Sequence, residues 1–146
     1  MEFLIIRAFI TLCLEEIIVI SALWLFENHK KHLAMAKYYQ ELLDRPGDQT
    51  VNDSPQAFQH TLDYEKALNE CETYLLFYEL IQMILTDEEK WLVEHIFIKE
   101  ETYYNLISYP DSPVNDYSRP TISRHKKRLL EKADTFLNEA WIKDHR

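Results

Sequence analysis

The chain is 146 residues long, which suits one domain, and it carries 47% hydrophobic residues, a single glycine and a formal net charge of −9. Average glycine usage of about 7% would place about ten in such a chain. The shortage excludes dinucleotide fingerprints and P-loops, which need several glycines in one turn, and it counts against sandwiches and barrels, whose hairpins use glycine at positive φ. What remains is an all-α chain with enough apolar residues for a core. Its acidity, taken alone, argues against nucleic acid as a partner.

Residues 1–45 read as an apolar helical extension. Residues 3–26 are apolar enough to raise a signal peptide or membrane span, yet Arg7 and Glu15-Glu16 interrupt the run. Acids at the centre of a membrane helix cost about 2.5–3.5 kcal/mol each, and no positive start or small-residue cleavage site is present. Arg7, Thr11 and Glu15 recur at i, i+4 and i+8, one polar stripe on an otherwise apolar helix. The expectation is a dimerisation or core helix in the cytoplasm, with a membrane disfavoured. Met35 is an alternative start that would leave this stretch untranslated. One long helix or two shorter ones should end near Asp44. Cys13 and Cys71 lie in apolar helical patterns as small hydrophobes, not as a disulfide framework or zinc motif.

Pro46-Gly47-Asp48 breaks the pattern, and residues 46–60 are expected to form a linker before a helical domain at 61–146. Ser54-Pro55 offers an N-cap followed by proline in the first turn. A helix over about 62–85 then carries Tyr64, Leu68, Cys71, Leu75 and Tyr78 at three- and four-residue spacing, with an apolar face broad enough to pack on both sides. Thr86-Asp87-Glu88-Glu89 spells a capping box, with three acids at the positive end of a new helix. That helix should bury Leu92, Val93, Ile96 and Phe97 and end near Glu100. A short helix over 101–108 and a loop over 109–117, with Pro110 and Pro113, come next. Ser118-Arg119-Pro120 opens the last helix. Two helices, a break and a last helix with a basic start make a helix-turn-helix arrangement at 86–142.

At 100° per residue the last helix has two faces. Ile122, Leu129, Ala133, Phe136, Leu137 and Ala140 face inward, whereas Thr121, Arg124, Lys127 and Arg128 face out. Lys126 falls on the apolar side, where its stem can pack while its ammonium reaches water. Residues 119–132 hold six Lys/Arg against one acid, Glu131. These cations sit in the first half of the helix, where the dipole disfavours them, so the placement is costly without an anionic partner. Double-stranded DNA supplies one, through phosphates and guanine edges. The expected DNA-binding residues are Arg119, Thr121, Arg124, Lys127 and Arg128. The net charge is +4 over residues 119–146 and −13 over 1–118, so an acidic body would restrict the productive approach to the last helix.

Two stretches carry a family resemblance. Leu85-Thr86-Asp87-Glu88-Glu89-Lys90-Trp91-Leu92-Val93 is similar to the first helix of a sigma-factor region-4-like helix-turn-helix. SRPTISRHKKRLLEKADTF, residues 118–136, resembles the recognition helix of the ArpU-type phage transcriptional regulators. The segment Leu62-Asp63-Tyr64-Glu65-Lys66-Ala67 and its continuation to Leu80 resembles that family's amino-terminal helix, so the likeness covers about residues 60–138. It implies late- or lytic-gene control in a phage or prophage of Gram-positive bacteria, promoter-proximal DNA binding in the host cytoplasm, and contact with RNA polymerase. The connection over 109–117 is longer than the usual turn of about three or four residues.

An enzyme is not expected. The acids lie on solvent-facing helix positions without a distinguished pair, and GxSxG, HExxH and P-loop motifs are absent. No cofactor or metal is expected. His29 and His32, three apart, are read as exposed helix residues, and of Tyr103 and Tyr104 at least one is read as core. The regulator should bind as a homodimer that reads two half-sites. The competing reading is a protein-binding adaptor, an antirepressor or polymerase-binding factor, whose acidic helical body engages a basic partner.

Overall fold

The computed structural model describes residues 20–45 and 55–145, with side chains up to residue 139. The polar stripe Arg7, Thr11 and Glu15, together with Cys13 and Gly47, lies outside the described set, as does the side chain of Ala140. The described residues form an all-α structure without strands. In chain order they give α1 (Ala22–Glu27), α2 (His29–Asp44), α3 (Pro55–Ile84), α4 (Asp87–Leu92), a π-helical segment (Val93–Ile98), α5 (Tyr103–Ser108) and α6 (Arg119–His145).

Ser21 opens α1, its Oγ accepting the Trp24 amide at 3.1 Å. Ala22, Leu25 and Phe26, at i, i+3 and i+4, are all buried. Asn28 separates α1 from α2: its backbone N–H and its side-chain Nδ2 both donate to the Trp24 carbonyl, at 3.0 and 2.9 Å. The Ala22 amide, an orphan donor at a helix start, donates to Asp134 Oδ1 of α6 at 2.8 Å. This bond ties the first described helix to the last one.

The expected separation of an extension over 1–45 from a domain over 61–146 does not describe this packing. The final part of the apolar stretch, in α1, shares one core with α3, α4, the π segment, α5 and α6. Phe26 sits between Tyr78 and Phe97, with ring centroids 6.0 and 5.3 Å away. The expected linker is also shorter at its far end, because residues 55–60 are already helical from Pro55 onward. Proline fits there because the first helical amide needs no partner and φ is preset.

α2 and α3 form an antiparallel hairpin, as the descending partner numbers show: His29 stacks on Tyr78 at 3.6 Å, His32 on Tyr74 at 4.7 Å, and Tyr39 meets Tyr64 at 6.2 Å. Reading the two histidines as exposed is corrected by these contacts. His32 is buried and His29 half-buried, because aromatic rings on α3 face both. Burial lowers the pKa of each below the usual histidine value. Cys71 is buried as expected, and burial raises its thiol pKa.

The capping box forms: Thr86 Oγ1 accepts the Glu89 amide at 3.2 Å, and the Thr86 amide donates to Glu89 Oε1 at 2.9 Å. The helix it starts does not continue as an α-helix to Glu100. From Val93 the turn widens to i→i+5 bonds, seen in Lys99 N–H to Glu94 C=O at 2.9 Å. This spacing puts Val93 and Ile98 on one side, so His95 and Ile98 are buried with Leu92, Val93 and Phe97 while Ile96 is half-buried. The segment ends on Glu100 at φ +53, a left-handed position usually given to glycine or asparagine. The Glu101 amide reaches back to His95 C=O at 2.9 Å, and the Glu101 carboxylate holds His95 Nδ1 at 3.1 Å and the Tyr109 hydroxyl at 2.7 Å. Among the described residues no helix is long and apolar enough to cross a membrane.

Candidate nucleic-acid interface

Residues 109–118, the connection into α6, are held by local bonds. Ser112 N–H donates to Tyr109 C=O, Val114 N–H to Ser112 Oγ and Tyr117 N–H to Val114 C=O, at 3.0–3.2 Å. Val114 is fully buried and plugs the loop into the core. The Tyr103 hydroxyl of α5 donates to Tyr117 C=O at 2.8 Å. A connection with no glycine is therefore fixed by one apolar anchor and a set of turns.

Ser118 then caps α6. Its Oγ accepts the Thr121 amide at 3.4 Å and exchanges a hydrogen bond with Thr121 Oγ1 at 2.9 Å. Arg124 Nη2 donates to Thr121 Oγ1 at 3.1 Å. Ile122, Leu129 and Ala133 are buried, and Phe136 and Leu137 half-buried, as 100° per residue predicts. Lys126 lies half-buried with its Nζ 5.3 Å from the centroid of the Phe97 ring, a cation–π contact over the edge of the core.

Two polar contacts seat α6 on the first turn of α4. Lys132 Nζ donates to Glu89 Oε1 at 2.8 Å, and His125 Nδ1 lies 3.4 Å from Glu88 Oε1. Burial pushes the Glu89 carboxyl up, but hydrogen bonds from Lys132 and Thr86 outweigh it and hold the group below the usual carboxylate range. A hydrogen bond to Glu88 raises the Tyr117 phenol. The acids of α4 thus bind the side of α6 that carries His125 and Lys132, and they leave uncovered the solvent-facing flank beside it, across the helix from Ile122, Leu129 and Ala133.

That flank carries Arg124, Lys127 and Arg128, all exposed and spaced i, i+3 and i+4. Among the described residues none of the three has an ion pair. Asp134, the next acid after Glu131, is turned away to the Ala22 amide. Arg119 behaves differently. Its guanidinium carbon lies 5.1 Å from the Tyr103 ring centroid and 5.0 Å from that of Tyr104, clamping the start of α6 to α5. Thr121 is half-buried, its hydroxyl engaged by Ser118 and Arg124. Of the five residues expected from sequence, three form one open cationic face and two organise the helix start. Tyr103 is half-buried and Tyr104 exposed.

Sequence reading did not find the partners that seat this face: Glu88, Glu89, His125, Lys132 and Asp134. Their contacts span 37 to 112 positions along the chain, and helical periodicity carries no signal at that range. Among the described residues no group of three or more His, Cys, Asp or Glu is placed to hold a metal ion. No family model, no curated protein and no solved structure matches the chain.

Proposed function

We propose that the protein is a sequence-specific DNA-binding transcriptional regulator in which α5, the 109–118 connection and α6 act as a helix-turn-helix, α6 entering the major groove. The observation that carries this reading is the open face of Arg124, Lys127 and Arg128 in the first half of α6. Cations there oppose the helix dipole, and none forms an ion pair among the described residues although Glu131 lies one turn on from Lys127 and Arg128; phosphates and guanine edges would neutralise them. Arg119, over the rings of Tyr103 and Tyr104, ties the start of α6 to α5, and Thr121 accepts a hydrogen bond from Arg124. The resemblance to ArpU-type regulators supports late-gene control in a phage or prophage, acting as a dimer in the bacterial cytoplasm with RNA polymerase as a further contact. The acidic remainder of the chain would repel duplex from every other approach.

The test needs no known operator. Fluorescence anisotropy on a mixed-sequence duplex should show affinity falling linearly with salt on logarithmic axes. Arg124→Ala with Arg128→Ala should reduce that slope by about 2, roughly one unit per lost phosphate contact. Duplex binding that is untouched by the double substitution removes α6 from the interface. Negligible duplex affinity at low salt removes the DNA reading as a whole.

A further inference from the structure

One side of the α2–α3 hairpin is covered and the other is open. Trp24 of α1 packs on His32 and on Tyr74, ring centroids 5.0 and 4.9 Å apart, which marks the covered side. Lys30 lies two residues from His32, and Glu72 two residues from Tyr74. Each therefore sits about 160° around its helix from the covered side. On the open side α2 exposes Lys30, Leu33 and Lys37, and α3 exposes Glu65, Glu72, Glu79 and Met83 with Leu76 half-buried among them. Leu33 is 49% and Met83 79% exposed, so this face offers apolar surface between its charges. None of these five charged side chains has an ion pair among the described residues.

The spacing is the second observation. Glu65, Glu72 and Glu79 repeat every seven residues, and Lys30 and Lys37 are also seven apart. A seven-residue step returns to within about 20° of the same face and rises about 10.5 Å. The acidic stripe on α3 and the basic stripe on α2 therefore share one pitch, although they lie side by side on one chain without pairing.

We propose that this open face is an interface between two copies of the chain, with α2 of each copy lying along α3 of the other. A twofold axis lying in the plane of the interface, parallel to the helices, exchanges the two hairpins face to face. Such a rotation keeps each helix direction, so α2 of one copy lies antiparallel to α3 of the second, and stripes of equal seven-residue pitch stay matched in that sense. In one register Lys30 and Lys37 of one copy meet Glu79 and Glu72 of the second, with Leu33 on Leu76; the one like-charge meeting, Asp44 with Glu65, falls at the end of α2. The axis repeats the set, giving four ion pairs around two leucine contacts in a four-helix bundle. Pairing α3 with α3 in parallel would instead set glutamates against glutamates, which disfavours it. The proposal rests only on the dimeric part of the functional reading, and the mass measurement below contains no DNA. Its failure is therefore distinct from failure of the α6 interface.

Sedimentation velocity of the full chain should show a species of twice the chain mass that shifts toward the single-chain mass as salt rises. Lys30→Glu with Lys37→Glu, and separately Glu72→Lys with Glu79→Lys, should each sediment at the single-chain mass, since each set puts like charges opposite one another. Mixing the two variants should restore twice the mass, because every contact is again between opposite charges. A wild-type chain at single mass, a dimer that survives both substitutions, or a mixture of folded variants that stays monomeric would overturn the proposal. Should a charge reversal impair folding, Lys37→Cys with Glu72→Cys provides the second measurement. Mild oxidation should link two copies covalently, and a chain that stays unlinked overturns the interface.

Discussion

Phe26→Ala tests whether α1 belongs to the core that seats α6 or is a dispensable extension. Phe26 is fully buried, wedged against Tyr78 of α3 and Phe97 of the π segment, and is the largest side chain with no exposure. Truncation removes the ring from contact and leaves a cavity lined by three elements that cannot all collapse on it. The expected cost is about 3–5 kcal/mol. For a chain of this size about 1 kcal/mol moves the midpoint by roughly 3–4 °C, so Tm should fall by about 10–20 °C. That is a large share of a typical stability of about 5–15 kcal/mol. Thermal unfolding followed by far-UV circular dichroism measures the shift, and the transition should stay cooperative because one core is involved. Tyr38→Ala, at an exposed position on α2, is the control and should stay within about 0.5 kcal/mol of wild type. A Phe26→Ala midpoint within about 2 °C of wild type would refute the single-core reasoning. A chain started at Met35 lacks Ala22, Leu25, Phe26 and His32 and should fail to give a cooperative transition at all.

Three further outcomes follow from other sites. His29 and His32 are held below the ordinary 6.5 mainly by burial, so below about that pH the unfolded chain takes up protons that the folded chain does not. Stability from this source is therefore present above about pH 6.5 and should decline as pH falls below it; urea midpoints that stay flat on acidification from pH 6.5 would contradict the burial of both rings. Tyr78 is pushed up to about 12 by burial and then by Glu94 and Glu79. The difference in tyrosinate absorbance between wild type and Tyr78→Phe should rise near that value, and a step near 10 would mean an exposed phenol. Glu100→Gly should stabilise the fold by about 0.5 kcal/mol in chemical denaturation, as relief of the left-handed strain exceeds the added entropy of glycine. Destabilisation there would show that the Glu100 side chain contributes more than its backbone costs.

Much of the local structure is legible from the residues alone. Thr86-Asp87-Glu88-Glu89 specifies its own cap because donors and acceptors three residues apart meet in any helix start. The inward set Ile122, Leu129 and Ala133, and the outward set Arg124, Lys127 and Arg128, follow from 100° per residue. The scarcity of glycine directs the chain to helices, and the break before Pro55 is readable as punctuation. The π turn at Val93–Ile98 is not legible, because apolar residues at 92, 93, 96 and 97 suit an ordinary helix equally well. Nor is the left-handed cap at Glu100, since a residue type that disfavours positive φ gives no hint of it.

By itself, then, the sequence determined the helical class, the caps and the two faces of the last helix, all of them effects that act over a few neighbouring residues. Only the tertiary structure decided that α1 completes the core, that His29 and His32 are packed and not exposed, and that Arg119 is a clamp while Arg124, Lys127 and Arg128 stay open. Those outcomes depend on which distant side chains arrive next to them: Asp134 at the Ala22 amide, Tyr74 and Tyr78 at the histidines, Tyr103 and Tyr104 at the guanidinium. Periodicity sets the direction a side chain points, whereas the partner it finds there is fixed by long-range packing.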